Sequence, residues 1–137
     1  MPSKESQYPA DWLRIAEKDW KRAHRLLDED PELAGFCLQQ AVEKFLKALL
    51  LSYGWTLRRI HNLDALLDDA VSYDDSLEAF REVCQRITAF YVVERYPLIV
   101  ASGMTEEDVR IALNQVRGLV EKVRAKIHRK APENDAQ

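Results

Sequence analysis

The longest apolar segment of the chain runs from residue 36 to residue 53, FCLQQAVEKFLKALLLSY. Its hydrophobic residues recur every three or four positions, as in a helix that is buried along a broad face: Leu38, Ala41, Val42, Phe45, Leu46 and Leu49. The remaining positions leave a narrow polar strip, formed by Gln39, Gln40, Glu43, Lys44 and Lys47. This segment is therefore predicted to be the central helix of the fold, with its polar strip facing solvent, a partner or a ligand.

Capping and turn residues divide the rest of the chain into further helices. Asp30 and Pro31 are typical of a helix start, Gly54 of a helix end, and Asn62 and Thr105 of N-caps. The predicted helices cover about 10–28, 31–53, 63–71, 76–92 and 105–128. Together they predict an all-α, up-and-down bundle of about five helices, four long and one short. It forms one domain over residues 9–129, and residues 1–8 and 130–137 are expected to be flexible termini.

Composition narrows the possible functions. The 137 residues carry a net charge of -3, so any contact with nucleic acid must come from a local basic cluster. Cys37 and Cys84 stand singly in apolar helical patterns, which predicts buried free thiols. No metal-ligand cluster, glycine-rich phosphate loop, signal core or membrane-spanning run is present in the sequence, so no cofactor or membrane contact is expected. We expect a cytoplasmic protein.

Two polar features lie on or near the central helix. Lys44 and Lys47 form one side of the polar strip, and the i, i+4 pair of Glu43 and Lys47 is compatible with a solvated stripe. Alternatively, a lysine of the strip binds phosphate. His61 follows Arg58 and Arg59, and it either bonds a neighbouring backbone group or carboxylate, or serves as a proton-transfer or phosphate-binding group.

Two further features lie towards the C-terminus. Arg95 and Tyr96 precede Pro97, which biases Tyr96 towards extended backbone and predicts an irregular segment here. An arginine and an aromatic ring on a rigid loop suit phosphate and base recognition, although Arg95 could equally pair with an acid such as Glu43. On the last helix, three arginines seven residues apart form a stripe that is either an ordinary solvent-exposed surface or a polyanion-binding surface: Arg110, Arg117 and Arg124.

Taken together, several of these segments resemble a known family. The block QQAVEKFLKALL, then HNLDALL, then RYP, then a capped helix with TEEDVRIALNQVRGLVEKV are similar to the small prokaryotic HEPN domain. The resemblance covers roughly residues 12–126. It implies a helical bundle that is usually a homodimer, is often encoded beside a minimal nucleotidyltransferase, and commonly acts with it as a toxin–antitoxin system.

The resemblance also bears on activity. Many HEPN proteins are metal-independent endoribonucleases with a histidine four to six residues after an arginine. Arg95 matches the arginine by position, but YPLIVAS follows it without a histidine. The resemblance thus implies a non-catalytic module that binds a nucleotide, RNA or a protein partner through Lys47, His61, Arg95 and Tyr96. The alternatives are a ribonuclease toxin that uses Arg95 and His61, and a purely structural dimer.

Overall fold

The computed structural model describes the backbone of residues 6–95 and 105–135, and the side chains within 6–90 and 105–128. The elements are α1 (Pro9–Leu26), α2 (Pro31–Ser52), α3 (Leu63–Tyr73), a 3-10 helix (Asp75–Phe80), α4 (Arg81–Arg95) and α5 (Glu106–Asp135). No strand is present in these ranges. The structure confirms the all-α bundle that the sequence predicts.

The central position of α2 is also confirmed. This helix packs against α1, α3, α4 and α5. Sixteen of its residues are buried, and Leu38, Phe45, Leu46 and Leu50 are fully enclosed in the core. Because α2 is apolar on nearly every side, it needs neighbours on nearly every side, and the other helices are arranged around it.

Local capping chemistry sets most of the helix ends as the sequence predicts. The Asp30 side chain accepts a hydrogen bond from the Leu33 backbone N–H, and Asn62 accepts bonds from the first turn of α3. Thr105 and Asp108 exchange reciprocal bonds at the start of α5. Gly54 has a φ of 92°, a left-handed conformation that favours glycine, just after α2 ends.

The structure differs from the sequence-based prediction at three places. The predicted helix 76–92 is a 3-10 helix followed by α4, because Asp74 caps the 3-10 segment and a regular α-helix begins only at Arg81. Arg95 is the last residue of α4 rather than part of an irregular segment, since a proline restricts the residue directly before it and Arg95 is two residues before Pro97. Finally, α5 continues to Asp135, beyond its predicted end near residue 128.

No helix among the described residues is both long enough and apolar enough to cross a lipid bilayer.

Candidate functional site

The polar strip of α2 faces inward. Lys47 is only 1% exposed and Glu43 5% exposed. Their side chains form an ion pair one helical turn apart, with Lys47 Nζ donating to Glu43 Oε2 at 3.2 Å. The Lys47 ammonium also lies 5.2 Å from the centre of the Trp12 ring. The solvated-stripe interpretation is therefore wrong for these two residues, because α1 and the segment that precedes α3 cover them.

His61 reaches the same carboxylate from outside. Its Nδ1 lies 2.7 Å from Glu43 Oε2, while the imidazole side chain is 68% exposed. An ionised carboxylate only accepts hydrogen bonds, so Nδ1 carries the proton in this contact. In the part of the chain that the structure describes, Nε2 has no hydrogen-bond partner. The buried Glu43 carboxylate thus orients the exposed His61 ring.

Lys44 is held by a neighbouring helix. Its Nζ donates to Asp19 Oδ2 of α1 at 2.7 Å, and Arg22 contacts the other oxygen of Asp19 at 3.0 Å. The Asp19 side chain is 9% exposed and that of Lys44 22% exposed. Asp19 therefore fixes the ammonium of Lys44 at the surface of the bundle and leaves part of it accessible.

These side chains surround a groove of about 610 Å³. Residues from α1, α2, α4 and the segment that precedes α3 line it: Trp12, Phe36, Gln39, Gln40, Glu43, Lys44, Lys47, His61, Asn62 and Thr88. The volume falls within the roughly 300–1,000 Å³ of typical small-molecule sites. Aromatic surface, amide groups and cations therefore converge on one concave surface, which we call the α2 groove.

Among the described residues, no group of three or more His, Cys, Asp or Glu side chains could hold a metal ion. Glu43, the one acid among the described residues that line the α2 groove, is engaged with Lys47 and His61. The groove chemistry that these residues offer is hydrogen bonding, charge and proton transfer.

Comparison with known proteins decides the family. The HEPN domain family model matches residues 9–126, which is most of the chain. The chain belongs to the HEPN domain family. The fold is similar to the crystal structure of TT1696 from Thermus thermophilus, with 28% sequence identity and a TM-score of 0.74 over 86% of this chain and 97% of that one. No curated protein matches the chain.

The structure brings together only some of the residues that sequence reasoning selected in this HEPN domain. Lys44, Lys47 and His61 all line the α2 groove. Arg95 ends α4 two helical turns after the groove residue Thr88, while its side chain and all of Tyr96 lie outside the described residues. Their proposed ligand contacts stay predictions.

The arginine stripe of α5 is largely engaged within the chain. Arg110 pairs with Glu106, and Arg124 makes two hydrogen bonds to Glu17 of α1, at 2.7 and 2.8 Å. Those hydrogen bonds raise the pKa of the Arg124 guanidinium. Among the described residues, Arg117 forms no ion pair; it donates a hydrogen bond to the neutral Asn114 side chain. Arg110 thus pairs with an acid of its own helix, whereas Arg124 links α5 to α1 through Glu17.

Sequence reasoning missed two residues that line the groove, Phe36 and Thr88, and it did not single out Asp19, which holds the groove residue Lys44. Asp19 carried a weak signal, because a carboxylate between the apolar positions Ala16, Trp20 and Ala23 lies close to the buried face of α1. Nothing local indicated that its partner would be a lysine 25 residues later.

Proposed function

We propose that this HEPN domain protein is a non-catalytic module that binds a nucleotide in the α2 groove. The observation that supports this most strongly is the combination of aromatic surface and cations on one concave surface. Trp12 and Phe36 supply rings, while Lys44 and His61 supply groups that attract phosphate. Base stacking on an aromatic ring contributes about 1–3 kcal/mol per base, and phosphate contacts add charge recognition.

The burial of Lys47 changes the role we assign to it. A lysine that is 1% exposed and paired with Glu43 is poorly placed to contact a ligand phosphate directly. We assign the phosphate contact to Lys44 and His61, and we assign to Lys47 the neutralisation of Glu43. Lys47 then acts on the ligand through the orientation of His61.

The proposal is tested by thermal unfolding of the purified protein with a panel of nucleotides. A ligand at 100 times its dissociation constant should stabilise the fold by about 2.7 kcal/mol, which raises the thermal midpoint by roughly several degrees. Gln40→Glu should abolish this shift, because it places a carboxylate in the groove where phosphate would bind. The matched control is Gln115→Glu, the same change at an exposed position of α5 outside the groove.

The outcomes separate clearly. A shift that is lost in Gln40→Glu and kept in Gln115→Glu supports nucleotide binding in the α2 groove. A shift that both variants keep places the ligand elsewhere and refutes the groove assignment. If no nucleotide raises the midpoint, the small-ligand proposal fails, and the search moves to a protein partner such as a minimal nucleotidyltransferase.

One observation favours a second candidate, a metal-independent ribonuclease. The contact between Glu43 and His61 Nδ1 orients an exposed imidazole, as a general base requires. His61 Nε2 would take the proton of an RNA 2′-hydroxyl, whose oxygen then attacks the adjacent phosphorus. The bond from phosphorus to the 5′-oxygen breaks, and the leaving oxygen takes a proton from water; the products are a 2′,3′-cyclic phosphate and a 5′-hydroxyl end.

Incubation of the protein with a short RNA in the presence of EDTA tests this candidate. Cleavage that yields cyclic phosphate ends and is lost in His61→Gln would establish it. Intact RNA, or cleavage that survives in His61→Gln, would exclude His61 as the base. The departure from the arginine-to-histidine spacing of the family makes the binding module our first choice.

A further inference from the structure

A second concave surface lies on the exposed side of α1. Trp20, Lys21, His24 and Arg25 line a shallow depression of about 490 Å³. We call it the α1 basic cleft. The three side chains around the buried Trp20 ring are all exposed and all basic. In a chain with a net charge of -3, such a local concentration of cations needs a specific explanation.

Lys21 and Arg25 lack the acid partners that two arginines of the same helix have. Arg14 pairs with Asp11 at 3.3 Å, and Arg22 pairs with Asp19 at 3.0 Å. By contrast, no described acid lies within ion-pair distance of Lys21 or Arg25. Their charge is therefore available to a ligand.

The cleft is fixed in shape by contacts around Trp20. His24 Nδ1 lies 2.9 Å from the Trp20 carbonyl oxygen, which can only accept, so Nδ1 donates and Nε2 remains for other partners. The two rings pack edge to face with centroids 4.8 Å apart. Arg117 of α5 lies 5.9 Å from the Trp20 ring and brings a further cation to the same surface.

This cleft is separate from the α2 groove. Trp12 lines the groove and Asp19 holds its lysine, so both lie on the side of α1 next to that groove. Glu17 and Trp20 contact Arg124 and Arg117, and they lie on the side next to α5. Ligands could therefore occupy both surfaces at once.

We propose that the α1 basic cleft binds the phosphate backbone of single-stranded RNA. Lys21 and Arg25 lie about one helical turn apart, so they can contact separate phosphates of one strand, and a guanidinium binds phosphate through two hydrogen bonds. The exposed His24 ring offers a flat surface on which a base can stack, and an acidic peptide has no aromatic base to place there. Arg117, which the sequence placed in a polyanion stripe, lies over the Trp20 ring and adds a cation beside the cleft.

The experiment measures binding of a fluorescent oligouridylate of about 12 nucleotides by anisotropy at several salt concentrations. The test variant carries Lys21→Gln and Arg25→Gln. We expect at least about tenfold weaker binding at about 0.1 M salt. The slope of log K against log salt should become smaller by about 1.4, because each phosphate contact to a single strand contributes about 0.7.

The control variant carries Arg14→Gln and Arg58→Gln, which removes the same charge from two exposed arginines that pair with Asp11 and Asp69. Its affinity should stay within about twofold of the parent. Equal losses in both variants would mean that only overall charge attracts RNA, and unchanged binding in the test variant would mean that RNA does not contact the cleft. Either result overturns the proposal. It is also overturned if polyglutamate of matched charge displaces the labelled oligouridylate as effectively as unlabelled oligouridylate does.

These outcomes are independent of the proposed nucleotide site. Gln40→Glu should leave oligouridylate binding to the α1 basic cleft in place, because that substitution lies in the α2 groove. Loss of oligouridylate binding in Gln40→Glu, with retention in the Lys21→Gln and Arg25→Gln variant, would assign the RNA to the groove and refute the cleft.

Discussion

The buried ion pair of Glu43 and Lys47 gives the sharpest test of how this fold is held together. Glu43→Gln keeps the size and shape of the side chain but removes its negative charge. Lys47 Nζ, 3.2 Å from Glu43 Oε2 and 1% exposed, would then remain without an ionic partner among the described residues. His61 would still be able to bond the amide oxygen, so the substitution isolates the loss of charge.

The expected magnitude follows from the burial of the pair. Removal of one member of a buried ion pair costs about 3–5 kcal/mol, because the remaining charge stays in a low-dielectric environment without compensation. For a domain of this length, about 1 kcal/mol corresponds to roughly 3.5 °C in the thermal midpoint. Glu43→Gln should therefore lower the midpoint by roughly 10–17 °C.

Urea unfolding, followed by tryptophan fluorescence and circular dichroism, measures the free energy directly. The double variant Glu43→Gln with Lys47→Met should recover to within about 1–2 kcal/mol of the parent, because an apolar side chain replaces the buried charge. Glu106→Gln is the matched surface control, since Glu106 forms an exposed i, i+4 pair with Arg110. It should cost less than about 1 kcal/mol.

Two results would refute the reasoning. A loss below about 1 kcal/mol in Glu43→Gln would mean that Lys47 is solvated or neutral in the native protein. A double variant that is less stable than Glu43→Gln would mean that Lys47 contributes mainly through its contact with Trp12, whose ring lies 5.2 Å away, rather than through the carboxylate.

Two further predictions concern backbone conformation and a buried thiol. Gly54→Ala should destabilise the protein by about 1–2 kcal/mol in urea unfolding, because the residue has a φ of 92°, which an alanine rarely adopts. An added Cβ would meet no atom within 4 Å, so the cost is purely conformational, and an unchanged unfolding midpoint would refute it. Burial raises the pKa of the Cys84 thiol from 9.0 to about 12, so between these values the unfolded chain loses a proton that the folded chain keeps. The free energy of unfolding should therefore fall as pH rises above 9, and this thiol should account for about 1.4 kcal/mol of the loss at pH 10. Cys84→Ala should lack this loss when the two proteins are compared by urea unfolding across the same pH range.

Local sequence signals predicted most of the fold because they act over a few residues. Asp30 and Asn62 bond backbone groups within three residues of themselves, and Gly54 adopts its left-handed conformation without any distant contact. The apolar spacing of α2 is likewise a local pattern, and the structure confirms the central place that it predicted. The 3-10 helix before α4 was not predictable from apolar spacing alone, since residues 75–80 carry a pattern that an α-helix would also accept.

Convergence of side chains in the α2 groove was only partly predictable. The sequence selected Lys44, Lys47 and His61 as polar residues that need an explanation, and the structure places all three at one groove. It did not indicate that Glu43 would contact His61, or that Asp19 would hold Lys44, because these partners are 18 and 25 residues apart. Such contacts depend on how helices pack, which no local pattern encodes.

The sequence by itself therefore determined the number and order of the α-helices, several of their caps, the central position of α2 and the family. Tertiary structure alone decided which charges are buried, which are paired and which remain available to a ligand. Lys47 and Lys21 are the same residue type on helical segments, yet one is enclosed beside a carboxylate and the other is exposed without an acid in the described residues. The physical reason is that burial and partners from other helices decide whether a charged side chain is enclosed, paired or exposed, and both arise only when the helices pack together.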